Sequence, residues 1–466
     1  MNTLKALSPL DGRYRKYGSV LATHFSEQAL ITNRIVVMVE WLRFLAADSR
    51  FPVRSITGRE DLKLEEMISG IRNDNDARII KDIETKGWGD HPRTNHDVKA
   101  CELYIRHCLT EMGAADLVEW VHFGRTSEDV NNIAYALMLA GALDGVMVPS
   151  LEKIRATVAG FAERYAHLPM LSRTHGQPAT PTTLGKEFAV FAARLAKQIV
   201  QLEKVSILVK SNGASGNYAA EHVAFPEVDW QEVSQAFCAR VGLQAMWNVE
   251  TNVVTTQIEP HDTYAELFAP LMRANTILID MCQDLWRYIS DDWIVQRAER
   301  GEIGSSTMPH KVNPINFENG EGNLGVANAL LGFFCRKLPI SRLQRDLSDS
   351  TVERNFGSAF GYAYVAYENI STGLGKIVAN EDLVREALRN HPEVITEAYQ
   401  TILRSVGYPD PYGALKQISR GAKMTLPNLH AFVLALDPAL VDDATKARML
   451  AITPENYIGL AQRLVR

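Results

Sequence analysis

The segment 304–314 carries side chains that suit acid–base chemistry, in the sequence GSSTMPHKVNP. It offers hydroxyls, an imidazole, an amine and an amide, but no apolar stripe that would place it in a core. Its two prolines exclude a continuous helix. A polar connection between helices is the ordinary interpretation of such a loop. The particular combination of residues favours a chemical role instead.

Two further polar segments lie in the first hundred residues. Near the N-terminus, a turn offers the guanidinium of Arg13 and the phenol of Tyr14. An ordinary N-terminal turn is the alternative there. Asn95, His96 and Asp97 stand where a helix begins. A histidine at such a place is often structural, but this polar trio has little apolar reason to be buried.

Two more polar segments interrupt the helical pattern in the middle of the chain. One of them, HFGRTSED, begins at His122. Within it, Thr126 is a suitable N-cap, and the helix start at Ser127 would suit a substrate carboxylate. A helix cap with no other role is the alternative. His175 lies in SRTHGQPATP, whose prolines prevent a helix throughout. Because the pKa of histidine lies near neutrality, His175 suits a positioned acid or base.

A sixth segment indicates a phosphate site. Ser350 and Glu353 have the spacing of a capping box, with Thr351 between them. Free amide groups at that helix start, together with Arg345 and Arg354, would hold a phosphate.

The composition of the chain argues against several classes of partner. The 466 residues carry a net charge of −6, which gives no basic footprint for nucleic acid. The N-terminus lacks a signal-peptide pattern, and no apolar run approaches the ~20 residues that span a bilayer. Five cysteines without a C-x-x-C pair favour reduced thiols in the cytoplasm over disulfides or zinc. We therefore expect a cytoplasmic protein with no metal, nucleic-acid or membrane partner.

Helical periodicity predicts the fold class. Apolar residues recur every three or four positions over 188–208, 262–289 and 315–334, which indicates long amphipathic helices. Strand patterns are nearly absent, apart from a short candidate at 249–254. The expected class is all-α, with a central long-helix bundle at 117–368 between helical domains at 1–116 and 369–466. The G-x-G-x-x-G match at 320–325 follows no strand and does not indicate a dinucleotide site.

Together these segments resemble the fumarase/aspartase superfamily, whose members release fumarate. The 304–314 loop carries that resemblance. SRTHGQPATP, TNHD, the N-terminal Arg-Tyr pair and the Ser-Thr-x-x-Arg segment resemble, more narrowly, the long-chain bacterial branch of the adenylosuccinate lyase family. The resemblance covers essentially the whole chain. It implies elimination of fumarate from adenylosuccinate, giving AMP, and from succinyl-aminoimidazole-carboxamide ribotide in purine nucleotide biosynthesis.

The resemblance also implies roles for individual residues. Ser305 would be the catalytic base and His175 the acid, while Lys311 and Asn313 would stabilise the charged intermediate. Substrate contacts would come from the polar segments, with no cofactor and no metal. The expected substrate-binding residues are Arg13, Tyr14, Asn95, His96, Asp97, His122, Thr126, Ser127, Gln257, Met308, Lys311, Asn313, Asn319, Arg345, Ser350, Thr351 and Arg354.

The family pattern implies a homotetramer whose active sites each draw residues from three chains. Two places depart from it: residues 90–92 lengthen the approach to Asn95, and Arg125 stands where a small residue is usual. Another fumarate-releasing enzyme, such as argininosuccinate lyase or fumarase, is the alternative within the superfamily. A non-catalytic structural protein is the alternative outside enzymology, against which the intact Ser305, His175, Lys311 and Asn313 argue.

Overall fold

Helices account for most of the computed structural model, which describes residues 3–72, 75–243, 245, 247–297, 308, 311–419 and 424–465. The all-α prediction is confirmed. Ser305 lies outside the described residues. The α-helices are α1 (Arg15–Phe25), α2 (Glu27–Ala47), α3 (Gly58–Arg72), α4 (Asn75–Thr85), α5 (Asp97–Glu111), α6 (Ser127–Ala142), α7 (Val148–Arg164), α8 (Leu184–Glu203), α9 (Ala219–Ala224), α10 (Trp230–Gly242), α11 (Asp262–Ser290), α12 (Ile315–Lys337), α13 (Ser348–Glu353), α14 (Phe356–Lys376), α15 (Glu381–Arg389), α16 (Thr396–Ser405), α17 (Pro411–Ser419), α18 (Leu426–Leu434) and α19 (Asp443–Leu450).

Short strands and turns complete the structure. Three two-stranded sheets form: β1 with β2 and β5 with β6 pair antiparallel, whereas β3 and β4 pair parallel. The strands are β1 (Pro169–Thr174), β2 (Gln177–Thr183), β3 (Ile207–Val209), β4 (Val249–Thr251), β5 (Ile294–Gln296) and β6 (Ile377–Ala379). Short 3-10 turns span Thr3–Lys5, Ala115–Trp120, Pro392–Ile395 and Ala461–Leu464, and a π turn spans Leu143–Met147.

The chain divides into two compact units. The first comprises Met1–Leu151, Gln198–Thr276 and Gly322–Glu368. The second comprises Glu152–Lys197, Ile277–Glu321 and Asn369–Arg466. The three domains expected from the sequence, at 1–116, 117–368 and 369–466, stay a prediction.

Three of the predicted long helices form. They are α8, α11 and α12, and α11 contains Pro270 as expected. The first prediction extended too far, because α8 ends at Glu203 and Leu208, the last residue of the predicted stripe, belongs to β3. Ile207 in β3 is fully buried and pairs with Val249. An apolar stripe continued by a buried strand cannot be told from a longer helix by periodicity alone.

The hairpin formed by β1 and β2 was not expected. Its two-residue turn is His175-Gly176, and both residues have positive φ, 52° and 75°. Such a turn matches the twist of antiparallel strands, and glycine adopts that conformation without strain. The strands alternate poorly because the turn end is exposed while the far end is buried. The sequence therefore lacked the period-2 signal of an ordinary hairpin.

Aromatic side chains fill the core of the first unit. Phe268, Phe334, Phe356 and Phe360 form a cluster in which Phe268 has ring centroids 5.3 to 6.1 Å from the other three. Tyr264 extends this cluster, with its ring 5.7 Å from that of Phe356. Edge-to-face aromatic packing of this kind adds to the free energy gained from burial. The cluster gives the polar residues around it a rigid support.

One helical stretch has the length and composition of a membrane span. It runs from Ser127 to Arg164, and 61% of its most apolar window is buried within the protein. Burial of this kind is typical of a core helix. Buried polar residues in its first turns, among them Glu128, Asp129 and Asn131, fit a protein interior better than lipid.

Gly185 and Gly160 test how tightly the second unit is packed. A Cβ at Gly185 would lie 2.3 Å from the Ala162 carbonyl oxygen and 2.5 Å from the Ala166 nitrogen, whereas one at Gly160 would meet nothing within 4 Å. We expect Gly185→Ala to lower stability by about 2 kcal/mol or more through overpacking. Gly160→Ala, inside α7, should raise it by about 0.4–1 kcal/mol. Melting temperatures measured side by side check this, and equal values for the two variants would contradict the packing.

Candidate active site

A cavity of about 610 Å³ opens in the first unit. Its volume is that of an ordinary small-molecule site. Nine of the predicted substrate-binding residues line it: Asn95, His96, Asp97, Ser127, Gln257, Arg345, Ser350, Thr351 and Arg354. They come from four segments that are far apart in sequence. The fold therefore brings most of the substrate-binding residues predicted in the first unit to one cavity.

The start of α5 places His96 at the cavity. His96 is the N-cap of this helix, and its Nδ1 accepts a hydrogen bond from the Lys99 amide at 3.3 Å. Because Nδ1 accepts, the proton of the neutral ring belongs on Nε2, which lies 3.4 Å from the Ser127 hydroxyl oxygen. Asn95 precedes the cap with a φ of 50°. This unusual conformation turns the chain sharply into the helix.

The start of α6 forms the neighbouring wall. Thr126 is its N-cap, as predicted, and the Thr126 amide donates to Asp129 Oδ2 at 2.8 Å. Ser127 follows as the first helical residue and faces the cavity. The carboxylate thus fixes the turn on which Ser127 sits.

Asp97 ties two arginines together beside the cavity. Its Oδ2 lies 2.8 Å from both Arg34 and Arg354, and Arg354 also reaches Glu27 at 2.9 Å. Burial alone would raise the pKa of Asp97, but the charge of Arg34, the Val98 amide and Arg354 lower it to about 2. Asp97 is therefore an anion at neutral pH, and it orients both guanidinium groups.

Arg345 is held in a similar way. It pairs with Glu128 at 3.0 Å and donates to the Gln257 side-chain oxygen at 3.3 Å. Burial raises the pKa of Glu128, and the charge of Arg345 opposes that rise. Two predicted ligand-binding side chains, Arg345 and Gln257, are thereby fixed relative to each other.

The capping box predicted for Ser350 and Glu353 is wrong. Helix α13 already begins at Ser348, so Ser350 lies inside it, and the Ser350 amide donates to Asp349 Oδ1 at 2.7 Å. Glu353 is buried and does not cap the start of the helix. The predicted box failed because the helix starts three residues earlier, at Ser348, with Leu347 in the N-cap position. Ser350, Thr351 and Arg354 still line the cavity through their side chains.

Four predicted residues of the first unit lie outside the cavity lining: Arg13, Tyr14, His122 and Thr126. Arg13 is exposed, and Tyr14 caps α1. His122 is half-buried, and burial lowers its pKa; its Nδ1 has no hydrogen-bond partner within the described part of the chain. His122 packs near Trp41 and Arg125 instead.

The second unit carries the remaining predicted residues. His175 is exposed at the tip of the β1–β2 hairpin. Met308 and Lys311 are exposed, Asn313 is half-buried just before α12, and Asn319 lies within that helix. The predicted base, Ser305, lies outside the described residues.

Two family models match nearly the whole chain. One, described as a lyase, matches residues 14–328, and the adenylosuccinate lyase C-terminal model matches residues 341–458. The adenylosuccinate lyase of Escherichia coli (strain K12) is 44% identical over 466 residues, covering 100% of this chain and 99% of its own. The adenylosuccinate lyase of Legionella pneumophila (strain Corby) is 43% identical over 468 residues, with the same coverage. This chain belongs to the adenylosuccinate lyase family.

Solved structures with low sequence identity share the fold of this adenylosuccinate lyase family member. A fumarate lyase from Mesorhizobium sp. BNC1 aligns with a TM-score of 0.72 at 18% identity, over 96% of both chains. A 3-carboxy-cis,cis-muconate lactonizing enzyme from Pseudomonas putida aligns with a TM-score of 0.71 at 20% identity, over 96% of this chain and 95% of its own. The fumarase/aspartase-like fold expected from the sequence is confirmed.

Sequence reasoning missed several residues that line the cavity. Arg34 lies inside the long apolar helix α2, where it donates to Asn131 of α6 at 2.8 Å. Tyr135 also faces the cavity from α6. A signal was present for Asn131, because an Asn-Asn pair interrupts an otherwise apolar helix. Arg34 and Tyr135 gave none, since both suit the surface of an ordinary helix.

A buried cluster of ionisable side chains lies behind the cavity wall. Glu128, His261 and Asp349 have ligand-type atoms within 4.8 Å of one another. His261 Nε2 is 3.9 Å from Asp349 and 4.0 Å from Glu353. Two atoms bound to one zinc ion lie roughly 3.4 Å apart, given bonds of about 2.1 Å in a tetrahedron. The spacing is therefore wide for tetrahedral zinc, while the expected absence of a metal stays a prediction.

The cluster predicts a loss of stability at alkaline pH. Burial raises the pKa of Glu353 to about 8; burial opposes protonation of His261, but the carboxylates of Asp349 and Glu353 raise its pKa to about 9. Both pKa values exceed the ordinary ones, so the folded state binds these protons more tightly than the unfolded state does. The stability that Glu353 contributes is complete below its ordinary pKa of 4.5 and is lost as the pH rises through about 8. For His261 the corresponding values are 6.5 and about 9.

The melting temperature should therefore fall between pH 7 and pH 9.5. Glu353→Gln, which imitates the neutral carboxyl, should reduce that fall. Glu66→Gln, which removes an exposed carboxylate of the same unit, should leave the fall unchanged. If the melting temperature of the Glu353→Gln variant depended on pH in the same way as that of the unmodified protein, the raised pKa of Glu353 would not be a cause of the fall.

Proposed function

We propose that this protein is an adenylosuccinate lyase, which eliminates fumarate from adenylosuccinate and from succinyl-aminoimidazole-carboxamide ribotide in purine nucleotide biosynthesis. The observation that carries the proposal is the convergence of nine expected substrate-binding residues on one cavity. Full-length similarity to adenylosuccinate lyases at 43–44% identity supports it.

The reaction sets three chemical requirements. A base must remove a proton from the carbon beside a carboxylate, the resulting charge must be stabilised, and the leaving nitrogen must be protonated. We assign the base to Ser305 and the acid to His175. Lys311 and Asn313, on the same segment as Ser305, would stabilise both the serine alkoxide and the carboxylate that gains charge.

The position of His175 suits an acid. It sits at the exposed tip of a hairpin whose two strands hold the backbone, and its φ is 52°. A residue kept in this sparsely populated conformation is often functional.

The cavity side chains fit the two ends of the substrate. Ser127 and Gln257 offer a hydroxyl and an amide to the succinyl carboxylates. Arg345, Ser350 and Arg354 offer charge-assisted and neutral donors for the phosphate. Argininosuccinate and malate, the substrates of the alternative enzymes, carry no phosphate and would leave these donors without a partner.

Charge balance supports sites shared between subunits. The described cavity lining has three arginines, Arg34, Arg345 and Arg354, and three carboxylates, at Glu84, Asp97 and Asp346. Adenylosuccinate brings two carboxylates and a phosphate, so a balanced lining requires further cations. We propose that neighbouring subunits of a cytoplasmic homotetramer supply them.

A comparison of three substrates tests the function. The purified protein should convert adenylosuccinate to AMP and fumarate, followed by ultraviolet absorbance, and should leave argininosuccinate and malate unchanged. Ser305→Ala should abolish most turnover of adenylosuccinate, because it removes the proposed base, while the melting temperature stays near that of the unmodified protein. Turnover of argininosuccinate or malate in place of adenylosuccinate would overturn the proposal, as would full activity of the Ser305→Ala variant. Inactivity on all three substrates would favour a structural protein.

A further inference from the structure

Lys210 has a fully buried side chain just behind the cavity wall. Its ammonium contacts three oxygens: Asp129 Oδ1 at 3.0 Å, the Gly213 carbonyl at 2.9 Å and the Gln257 carbonyl at 2.7 Å. An ammonium group has three protons to donate. All three of them therefore have an acceptor, although no solvent reaches the group.

Asp129, the partner of Lys210, accepts hydrogen bonds from several backbone amides. Besides Lys210, it accepts hydrogen bonds from the amides of Thr126 at 2.8 Å, Asn212 at 3.0 Å and Gly213 at 3.2 Å. Burial alone would raise the pKa of Asp129, but the charges of Lys210 and Arg125 lower it. The carboxylate stays ionised inside the protein and holds the chain at the start of α6.

The pair joins two walls of the cavity. Asp129 fixes the Thr126 amide, and Ser127 is the next residue. Lys210 fixes the Gln257 carbonyl, and the Gln257 side chain meets Arg345. Ser127 and Gln257 both line the cavity but belong to segments more than a hundred residues apart. The salt bridge between Lys210 and Asp129 is a short link between these segments on the buried side, and Arg345 forms a second link through Glu128 and the Gln257 side chain.

We propose that Lys210 is a positioning residue, which sets the distance between Ser127 and Gln257 so that both bind the carboxylates of the succinyl group. The inference rests on the proposed function, because it takes these two residues as carboxylate ligands. Lys210 touches no substrate. It acts through the Gln257 backbone and through Asp129.

Energetics favour a positioning role over simple stabilisation. A buried ion pair gains little net stability, because the cost of removing two charges from water offsets their attraction. Its directional contacts still fix the geometry of the groups that it joins. Two of the three Lys210 contacts, to Asp129 and to the Gln257 carbonyl, end on oxygens of segments that supply cavity residues.

A second buried pair offers a matched control. Arg125 and Glu221 form a salt bridge whose side chains are 3% and 0% exposed, compared with 0% and 1% for Lys210 and Asp129. Arg125 also donates to the Ser211 carbonyl at 2.7 Å and stacks on Trp41, with its guanidinium 4.3 Å from the ring centroid. None of these partners lines the cavity.

The test compares Lys210→Met with Arg125→Met in the full-length protein. Each deletes one buried cation and leaves a buried carboxylate, so the melting temperature should fall in both. For adenylosuccinate, we expect KM to rise about tenfold or more in Lys210→Met with kcat within about threefold, since the loss is in binding. KM should rise much less in Arg125→Met, because Arg125 acts on Asp129 only through its charge. Calorimetric affinity for fumarate should follow the same order.

An unchanged KM in Lys210→Met would overturn the inference, and so would equal rises in both variants. If Lys210→Met does not fold, Lys210→Met/Asp129→Asn removes both charges and avoids an unpaired buried carboxylate. The same rise in KM is expected there, and an unchanged KM would again overturn the inference. Fumarate binding keeps this test separate from the proposed function, because it does not require the unmodified protein to turn over adenylosuccinate.

Discussion

Two neighbouring carboxylates in the first turn of α6, Glu128 and Asp129, are buried, and each is paired with a cation from a distant segment. Glu128 holds Arg345 at 3.0 Å, and Asp129 holds Lys210 at 3.0 Å. An unpaired charge in such a place would cost several kcal/mol, so these segments must meet for the unit to fold. The helix start that faces the cavity is therefore fixed by the same interactions that bring the other walls to it.

The aromatic core and the polar network support one another. Tyr264 stacks on the buried His261 at a centroid distance of 5.0 Å and packs edge-on against Phe356. His261 in turn lies among the carboxylates behind the cavity wall. Ring stacking from the aromatic core therefore places the imidazole among these carboxylates.

Much of this could be predicted from the sequence. Apolar residues at helical spacing predicted α11 and α12. The polar segments before apolar runs predicted the N-cap Thr126 and a helix start near His96. The hairpin around His175 could not, because its strands are too irregular in burial. The error at Ser350 arose because a capping pattern gives no sign of an earlier helix start. Lys210 escaped notice because a lysine in a polar loop is ordinarily exposed, and only the folded chain brings Asp129 and Gln257 to it.

We expect the succinylated nucleotide to bind in the cavity between α5, α6 and α13. A crystal structure of the Ser305→Ala variant with adenylosuccinate would show this, because the substrate should bind without being converted. The phosphate should lie within hydrogen-bond distance of Arg345, Ser350 or Arg354, and a succinyl carboxylate should lie at Ser127 and Gln257. A nucleotide bound outside this cavity, with these side chains still paired only with one another, would contradict it.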